Sequence, residues 1–438
     1  MTACAPAHPE EGPAIDRIVV IHDFASPVGG AGVLALRAAR EYRELGMPVT
    51  YFSGQCDEDA PDLTGVERVG IQAAGLLQLS PMSAMAQGFR NTRAKEALSD
   101  WITRNDTPGT VYHLHNWSQI LSPAVFEALR PVEERLVVTC HDFFNICPNG
   151  GFAHFGKSEP CPFRPLSASC LLSRCDRRSH VHKAWRVARQ VQLNRSARFE
   201  RSAAIFTFIH DRMRRKFVES GFGAANMLTI PNPVDPWTSD RICAEQNSEF
   251  LFVGRIGPDK GADLAIEAAA RAKVPITLVG SRDAPLVLSS GLGRITFAGW
   301  CDRPSIARIA QSARALVVPS RVVEPFGLVI LEAAMSGLPV IVSDRAYLAD
   351  DVERLGFGRA FDPSDVSALT DLLGLFSRDD RLIESMSLAG HRSAGSLCST
   401  SRDWAGRFVD LFRSRLSWPN HAAEIPREAA LSQRMRMD

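Results

Sequence analysis

The chain has 438 residues, with 50 Lys and Arg against 49 Asp and Glu, and 45% of it is hydrophobic. This length allows two or more domains, and the hydrophobic content is typical of a globular enzyme. A net charge of +1 gives no overall attraction to nucleic acid, so we expect no nucleic-acid partner. Because the sequence shows neither a secretory leader nor an apolar run of about eighteen residues, we expect a cytoplasmic protein.

Short apolar runs alternate with helical patterns along the chain, which is typical of strand–helix–strand units around parallel sheets. The runs fall into two series. The first series of predicted strands occupies residues 17–22, 48–52, 110–114, 135–140 and 204–208. The second occupies residues 249–253, 275–279, 294–298, 315–318 and 339–342. The sequence therefore predicts an α/β protein with two Rossmann-like domains.

The junction between the two series is rich in proline and polar residues. It begins with Pro231-Asn232-Pro-Val-Asp235-Pro236, a composition that interrupts both helix and strand. We therefore predict a first domain at 14–236, with a Cys-rich insertion at about 143–182, and a second domain at 246–398. The spacing of apolar residues predicts a helix at 399–416, which we expect to return to the first domain, followed by a disordered tail at 417–438.

A glycine-rich loop follows the first predicted strand, at the end where ligands bind in open α/β sheets. The loop reads Ser26-Pro-Val-Gly29-Gly30-Ala-Gly32, and a helical pattern follows it from Val33 to Leu45. Glycines let the backbone approach a ligand closely and leave helix amides open to an anion. Gly29 and Gly30 are therefore candidate ligand contacts, although such loops also serve as tight connections.

Two cations flank the turn after the first strand of the second series. The segment reads Gly254-Arg255-Ile-Gly257-Pro-Asp-Lys260-Gly261 and precedes a helical pattern from Ala262 to Ala272. A guanidinium and an ammonium beside a helix N-terminus are suited to clamp a diphosphate. The alternative is an ordinary surface pair of basic residues.

Two carboxylates, eight residues apart, stand on either side of a predicted loop-to-helix junction, Glu324-Pro-Phe-Gly-Leu-Val-Ile-Leu-Glu332. Pro325 keeps Glu324 out of the helix, which we predict over residues 326–337. Glu332 then lies within an apolar helix, where a carboxylate needs a partner. A ligand with hydroxyl groups at both ends and phosphate between them would satisfy the carboxylates and the amides of the helix N-terminus. The alternative is a solvated charge face.

Taken together, these segments resemble retaining glycosyltransferases of the two-Rossmann-domain GT-B type, particularly glycosyltransferase family 4. In the second domain the resemblance rests on Phe252-Val-Gly-Arg255, Lys260-Gly261, Val279-Gly280, Phe297-Ala-Gly299, Val318-Pro-Ser320, the segment from Glu324 to Ala333, and Gly337-Leu-Pro-Val-Ile341. In the first domain it rests more loosely on Gly29-Gly30, Thr139-Cys-His141-Asp142 and Pro231-Asn232-Pro-Val-Asp235.

The resemblance implies a nucleoside-diphosphate-sugar donor held in the cleft between the domains. It implies that Arg255 and Lys260 bind the diphosphate, that Glu332 accepts hydrogen bonds from the ribose, and that Glu324 contacts hydroxyls of the transferred sugar. Further implied donor contacts are the glycine loop at Gly29 and Gly30 and the amides of Phe326, Gly327 and Leu328. His141 would lie opposite the donor and act during transfer, although a lone histidine after a strand is often a structural hydrogen-bonding group.

The resemblance also implies retention of the anomeric configuration. No Asp-X-Asp pair stands at a convincing position after a predicted strand, so we expect transfer without a metal cofactor. The acceptor, a glycan, lipid-linked molecule or small molecule, stays open, as in polysaccharide or glycoconjugate biosynthesis. Other functions also remain open: a nucleotide-sugar epimerase or phosphorylase on the same fold, or a non-catalytic scaffold that binds sugar nucleotides.

Four of the ten cysteines, Cys147, Cys161, Cys170 and Cys175, fall within the predicted insertion. Four thiols can complete a tetrahedral zinc site, but the short Cys-X-X-Cys pairs typical of structural zinc are missing here. A structural zinc ion and a set of reduced buried thiols are both open interpretations.

The stretch from Arg174 to Lys216 is unusually basic. Its apolar stripe is incomplete, which favours a solvated helix face. The functional alternative is an approach to anionic lipid headgroups, in peripheral contact with the inner face of a membrane, or to an acceptor that carries phosphate.

Overall fold

The computed structural model describes residues 14–55, 63–281 and 294–417. The predicted tail therefore lies outside the described residues, except for residue 417. The strands are β1 (Arg17–His22), β2 (Val49–Ser53), β3 (Glu67–Gly70), β4 (Thr110–Leu114), β5 (Leu136–Cys140), β6 (Ala153–His154), β7 (Glu159–Pro160), β8 (Ile205–Phe208), β9 (Met227–Thr229), β10 (Glu249–Val253), β11 (Ile276–Val279), β12 (Ile295–Gly299), β13 (Ala313–Val318), β14 (Val340–Ser343) and β15 (Gly358–Phe361).

Longer helices alternate with the strands in both halves of the chain. The α-helices are α1 (Gly29–Glu44), α2 (Pro81–Phe89), α3 (Thr92–Asn105), α4 (Val125–Ala128), α5 (Ala168–Leu172), α6 (His180–Ala197), α7 (Asp211–Glu219), α8 (Ala262–Ala272), α9 (Arg303–Ala310), α10 (Leu328–Met335), α11 (Ala349–Arg354), α12 (Val366–Arg378), α13 (Asp380–Ser393) and α14 (Ser401–Leu416).

Two separate parallel sheets organise the chain. The first has the strand order β3-β2-β1-β4-β5-β8-β9, and the second has the order β12-β11-β10-β13-β14-β15. Strands β4, β5 and β13 are buried along their whole length, because helices cover both faces of each sheet. In each sheet the first strand lies in the middle, and later strands are added on both sides of it. Because the strands are parallel, their carboxyl ends lie at one edge of the sheet, which is where ligands bind in open α/β folds.

The ten strands expected from the sequence are all present, with ends that differ by at most two residues. The strands that the sequence did not reveal, including β3, β9 and β15, are short and lie at sheet edges or within the insertion. Residues of β3 are largely exposed, so this strand lacks the apolar run by which the central strands were recognised.

The first helix begins earlier than expected. The sequence predicted a helix from Val33, whereas α1 begins at Gly29, so Gly29 and Gly30 form its first turn. Glycine has low helix propensity, and this hid the true start. Conversely, α10 begins at Leu328 rather than 326, because Gly327 adopts a left-handed conformation with φ of 66° directly before it.

The last helix, α14, packs on the first domain rather than the second. The Phe412 ring lies 5.7 Å from the ring of Tyr42 in α1, and the Phe408 ring lies 4.5 Å from that of His113 in β4. The two connections between the domains run side by side, since the amide of Val234 donates to the carbonyl of Ser399 at 3.2 Å. The two domains are thus linked by two chain segments, at Val234 and Ser399, that cross between them side by side.

Candidate functional site

A cavity of about 310 Å³ lies where the carboxyl ends of the two sheets face each other. First-domain residues from α1, the end of β5 and the junction line one side of it, and second-domain residues from the turns after β10 and β13 line the other. Eight of the predicted site residues meet here: Gly30, His141, Arg255, Lys260, Glu324, Phe326, Gly327 and Leu328. Gly29 is exposed in the first turn of α1, and neither Gly29 nor Glu332 lines this cavity.

Lys260 and Glu324 form an ion pair inside the cavity. A backbone turn presents the lysine: Gly261, with φ of 70°, ends a short 3₁₀ turn, and a side chain at this position would collide with the carbonyl oxygen of Pro319. Glu324 also accepts a hydrogen bond from the hydroxyl of Ser320 at 3.3 Å. The cation expected at the diphosphate therefore lies against the carboxylate expected at the sugar.

Arg255 pairs with Asp259 within the same turn. Asp259 receives a second guanidinium, that of Arg177, at 2.6 Å. Burial alone would raise the pKa of Asp259, but the hydrogen bond and charge of Arg255, with the charge of Arg177, lower it. Since Arg177 belongs to the first domain and Asp259 to the second, this pair joins the Cys-rich insertion to the turn that carries the predicted diphosphate clamp.

Glu332 lies on α10 and pairs with Arg303 of α9 at 2.5 Å. The same guanidinium donates to the carbonyl oxygens of Asp235 and Pro236 at the domain junction. Arg303 is therefore the partner that the Glu332 carboxylate requires within its apolar helix. The same arginine is hydrogen-bonded to the junction between the domains.

Histidines cluster at the carboxyl ends of three neighbouring strands of the first sheet. His115 Nδ1 lies 2.9 Å from His141 Nε2, and their rings stack at 5.2 Å. Beneath them, His113 is hydrogen-bonded to Tyr42 and Thr139. Burial lowers the pKa of His141 to about 3 and holds the pKa values of His113 and His115 well below 6.5. The imidazole that faces the cavity is therefore neutral at pH 7.

Buried polar atoms without hydrogen-bond partners also occur in the first domain. His22 Nε2, His115 Nε2 and Asn232 Oδ1 are buried and have no hydrogen-bond partner among the described residues. Asn232 lines the cavity and is only 3% exposed. Because buried polar groups are nearly always satisfied, the Asn232 oxygen in the cavity wall is available to accept a hydrogen bond from a ligand.

Several of these residues had no assigned role from the sequence. Arg177, Asp259, Arg303 and His115 gain their importance from partners far along the chain, such as the 82 residues between Arg177 and Asp259. Asp259 and His115 did carry local signals. Asp259 is the carboxylate between the two cations of the predicted clamp, and His115 directly follows a predicted strand.

The four cysteines of the insertion lie near one another, and a basic side chain lies beside two of them. Within residues 14–55, 63–281 and 294–417, no group of three His, Cys, Asp or Glu side chains is placed to hold a metal ion. The Lys183 ammonium instead lies 2.9 Å from Cys175 Sγ and 3.7 Å from Cys170 Sγ. All four cysteines are free thiols here, and a cation beside two of them opposes binding of a second cation.

None of the helices in the described part of the chain combines the length and the apolar character needed to cross a bilayer.

Two family matches cover most of the chain. Residues 29–233 match the glycosyl transferase 4-like domain, and residues 240–392 match glycosyl transferases group 1. An uncharacterized glycosyltransferase of Methanocaldococcus jannaschii is 25% identical over 277 residues, which cover 55% of this chain and 66% of that protein. The chain thus spans just under two thirds of this relative.

Solved structures share the whole architecture. Sucrose-phosphate synthase from Thermosynechococcus elongatus has a TM-score of 0.66 and 19% identity, covering 91% of this chain and 98% of that one. HepE of Anabaena, in complex with UDP, has a TM-score of 0.61 and 18% identity, covering 91% and 100%. These likenesses confirm the predicted fold, two Rossmann-like domains of the GT-B type.

The buried histidines predict loss of stability in mild acid. His22, His113, His115 and His141 have lowered pKa values because of burial, so the unfolded chain binds protons below about pH 6.5 that the folded chain excludes. Asp142 opposes this, since burial raises its pKa to about 6 and the folded state gains its proton first. Burial also lowers the pKa of His210 and raises the pKa values of Glu41 and Asp344. Five histidines outweigh three carboxyl groups, so we expect a lower Tm at pH 5.5 than at pH 7.5.

Calorimetry at both pH values measures this difference. His115→Gln should reduce the drop in Tm, while His180→Gln, at an exposed position of α6, should leave it unchanged. A drop of equal size in wild type and His115→Gln would contradict the assignment.

Proposed function

We propose that this chain, whose domains match the glycosyl transferase 4-like domain and glycosyl transferases group 1, transfers a sugar from a nucleoside diphosphate sugar to a hydroxyl group of an acceptor. The observation that carries the proposal is the single cavity in which Arg255, Lys260, Glu324 and the first turn of α10 meet. Cations and helix amides suit a diphosphate, and a carboxylate suits sugar hydroxyls. HepE, which has a similar fold, was solved with UDP, so uridine is a suitable first nucleoside to test in the donor.

Donor binding would exchange partners at the Lys260–Glu324 pair. The ammonium is attracted to the more negative diphosphate, and this releases Glu324 to accept hydrogen bonds from hydroxyls of the transferred sugar. Both side chains line the cavity and are only partly exposed, so the interaction is weakly screened. Donor binding would thus separate the Lys260–Glu324 pair, so that Lys260 contacts the phosphate and Glu324 contacts the sugar.

As the glycosidic bond breaks, negative charge develops on the departing diphosphate. Arg255, Lys260 and the amides at the start of α10 would stabilise that charge, which is the role a divalent cation would otherwise fill. We therefore propose transfer without a metal ion. Attack by the acceptor hydroxyl on the face from which the diphosphate leaves would retain the anomeric configuration, and the departing phosphate oxygen can take the hydroxyl proton.

At the ribose end, the Arg303 contact orients Glu332 and leaves its second carboxylate oxygen to accept hydrogen bonds from ribose hydroxyls. His141, neutral at pH 7 and fixed by His115, would form a hydrogen bond to the sugar without placing a positive charge beside the reacting carbon.

A panel of nucleotide sugars, with candidate glycan, lipid-linked and small-molecule acceptors, tests the function. We expect a glycosylated product by mass spectrometry, with the donor's anomeric configuration by NMR and with undiminished rate in EDTA. Glu324→Gln should lower kcat/KM by about tenfold or more, the loss expected for a charge-assisted hydrogen bond of ~1.5–3 kcal/mol. An isomerised donor would instead assign an epimerase, and donor binding without turnover would assign a scaffold.

The interdomain pair at Asp259 gives a second prediction. Arg177→Ala leaves Asp259 to Arg255 alone, which draws that guanidinium from the diphosphate and loosens the insertion from the second domain. We expect UDP to bind about fivefold more weakly by calorimetry, a loss of ~1 kcal/mol. Arg178→Ala is the matched control, since Arg178 is exposed and contacts His182 of the first domain. Equal affinities in the two variants would refute a link between Arg177 and the donor site.

A further inference from the structure

Several cations of the basic stretch from Arg174 to Lys216 are engaged in the structure of the first domain. Arg189 is buried and donates to the carbonyl oxygens of Gly88 and Ser118. Lys183 lies against two thiols, and Arg186 pairs with the buried carboxylate of Asp176. These charges are occupied, so they offer nothing to an external ligand.

Three cations of α7 behave differently. Arg212, Arg215 and Lys216 are spaced three and four residues apart, so they share one face of the helix. They line a second cavity of about 410 Å³, which is bounded by the insertion at Phe152 and Cys161. Val323 and Tyr347 of the second domain complete it, so this cavity also lies between the domains.

Aromatic rings, rather than carboxylates, position two of these cations. The Arg212 guanidinium lies 5.1 Å from the centre of the Tyr347 ring, and Lys216 Nζ lies 4.8 Å from that of Phe152. A ring fixes a cation without neutralising its charge. This contrasts with Arg255, Lys260 and Arg303, each of which is paired with a carboxylate at closer range.

The carboxylates near these α7 cations compensate them only weakly. Arg212 lies 3.4 Å from Asp350, whose side chain is 86% exposed, and Lys216 lies 3.8 Å from Glu219, which is 66% exposed. Such exposed pairs contribute little. Arg215 has no ion pair within the described ranges. The cavity therefore keeps a net positive charge.

The cavity also lies beside the predicted sugar position. Val323 directly precedes Glu324, and the amide of Tyr347 donates to the Glu324 carbonyl oxygen at 3.0 Å. The cavity therefore borders the loop that carries Glu324.

We propose that this cavity binds a phosphate group of the acceptor, an inference that rests on the glycosyl transfer proposed above. A phosphate monoester carries close to two negative charges and three acceptor oxygens, which match three weakly compensated cations better than a single carboxylate does. The phosphate belongs either to a soluble sugar phosphate or to a lipid headgroup. Both present anionic phosphate oxygens to α7, with close to two negative charges on a monoester and one on a lipid phosphodiester.

The test uses the full chain in saturating UDP, so that the donor cavity is filled. Glucose 1-phosphate and phosphatidylglycerol vesicles are the two phosphate probes, and glucose and phosphatidylcholine vesicles are their neutral counterparts. Calorimetry and vesicle sedimentation measure binding to wild type and to the double variant Arg215→Ala/Lys216→Ala.

A matched control comes from a different basic cavity. Arg195 and Arg201 line a space of about 680 Å³ to which residues of the first domain alone contribute. Arg195→Ala/Arg201→Ala removes the same charge without touching the cavity between the domains. The charge-conserving variant Arg215→Lys/Lys216→Arg reports on folding and should keep binding.

We expect binding of at least one phosphate probe to weaken about tenfold or more in the α7 variant and to stay unchanged in the control. Loss of glucose 1-phosphate binding assigns a soluble acceptor, and loss of vesicle binding alone assigns a lipid-borne phosphate. Binding that is equal in the two double variants, equal for charged and neutral probes, or absent from wild type overturns the proposal. UDP affinity is measured separately, so failure at the donor site is distinguished from failure here.

Discussion

Carboxylate pairing of the cleft cations is the constraint on which the site depends. Arg255 lies against Asp259, Lys260 against Glu324, and Arg303 against Glu332. Burying a cation without a partner costs free energy. A site that binds an anionic ligand therefore needs carboxylates beside its cations while no ligand is bound. The three carboxylates hold three basic side chains in place before a ligand arrives.

These pairs also connect the site to the rest of the fold. Asp259 accepts Arg177 from the first domain, and Arg303 holds the carbonyl groups of the interdomain junction. The junction in turn lies beside the return crossing to α14, which packs on α1. Asp259 and Arg303 therefore belong both to the proposed donor site and to the contacts between the two domains.

The sequence predicted those elements whose structure is determined by the residues within them, and it missed those whose residues carry no local pattern. The central strands were predicted closely, because a strand covered by helices on both faces is a continuous apolar run. Edge strand β3 was missed, because its exposed residues lack that run. The start of α1 was misplaced, because glycine gives no helical signal.

The same distinction holds for the site. Arg255, Lys260 and Glu324 follow strand ends, so chain position alone suggested that they meet, and they do line one cavity. Arg303 and Arg177 could not be found this way, because their partners come from distant segments. His115 directly follows the predicted strand at 110–114, so its position was a signal that the sequence interpretation did not use. For the four cysteines the sequence left a zinc ion and reduced thiols both open, and it gave no sign that Lys183 of α6 lies beside two of them.

Calorimetric titration of UDP and UDP-glucose into wild type, Lys260→Ala and Glu324→Gln most directly tests the division of labour in the Lys260–Glu324 pair. The account predicts that Lys260→Ala weakens both ligands by about tenfold or more, the loss of one charge-assisted contact of ~1.5–3 kcal/mol. Glu324→Gln should leave UDP affinity unchanged or tighter, because the lysine loses a competing anion, and should weaken UDP-glucose. UDP affinity that falls as far in Glu324→Gln as in Lys260→Ala would contradict it.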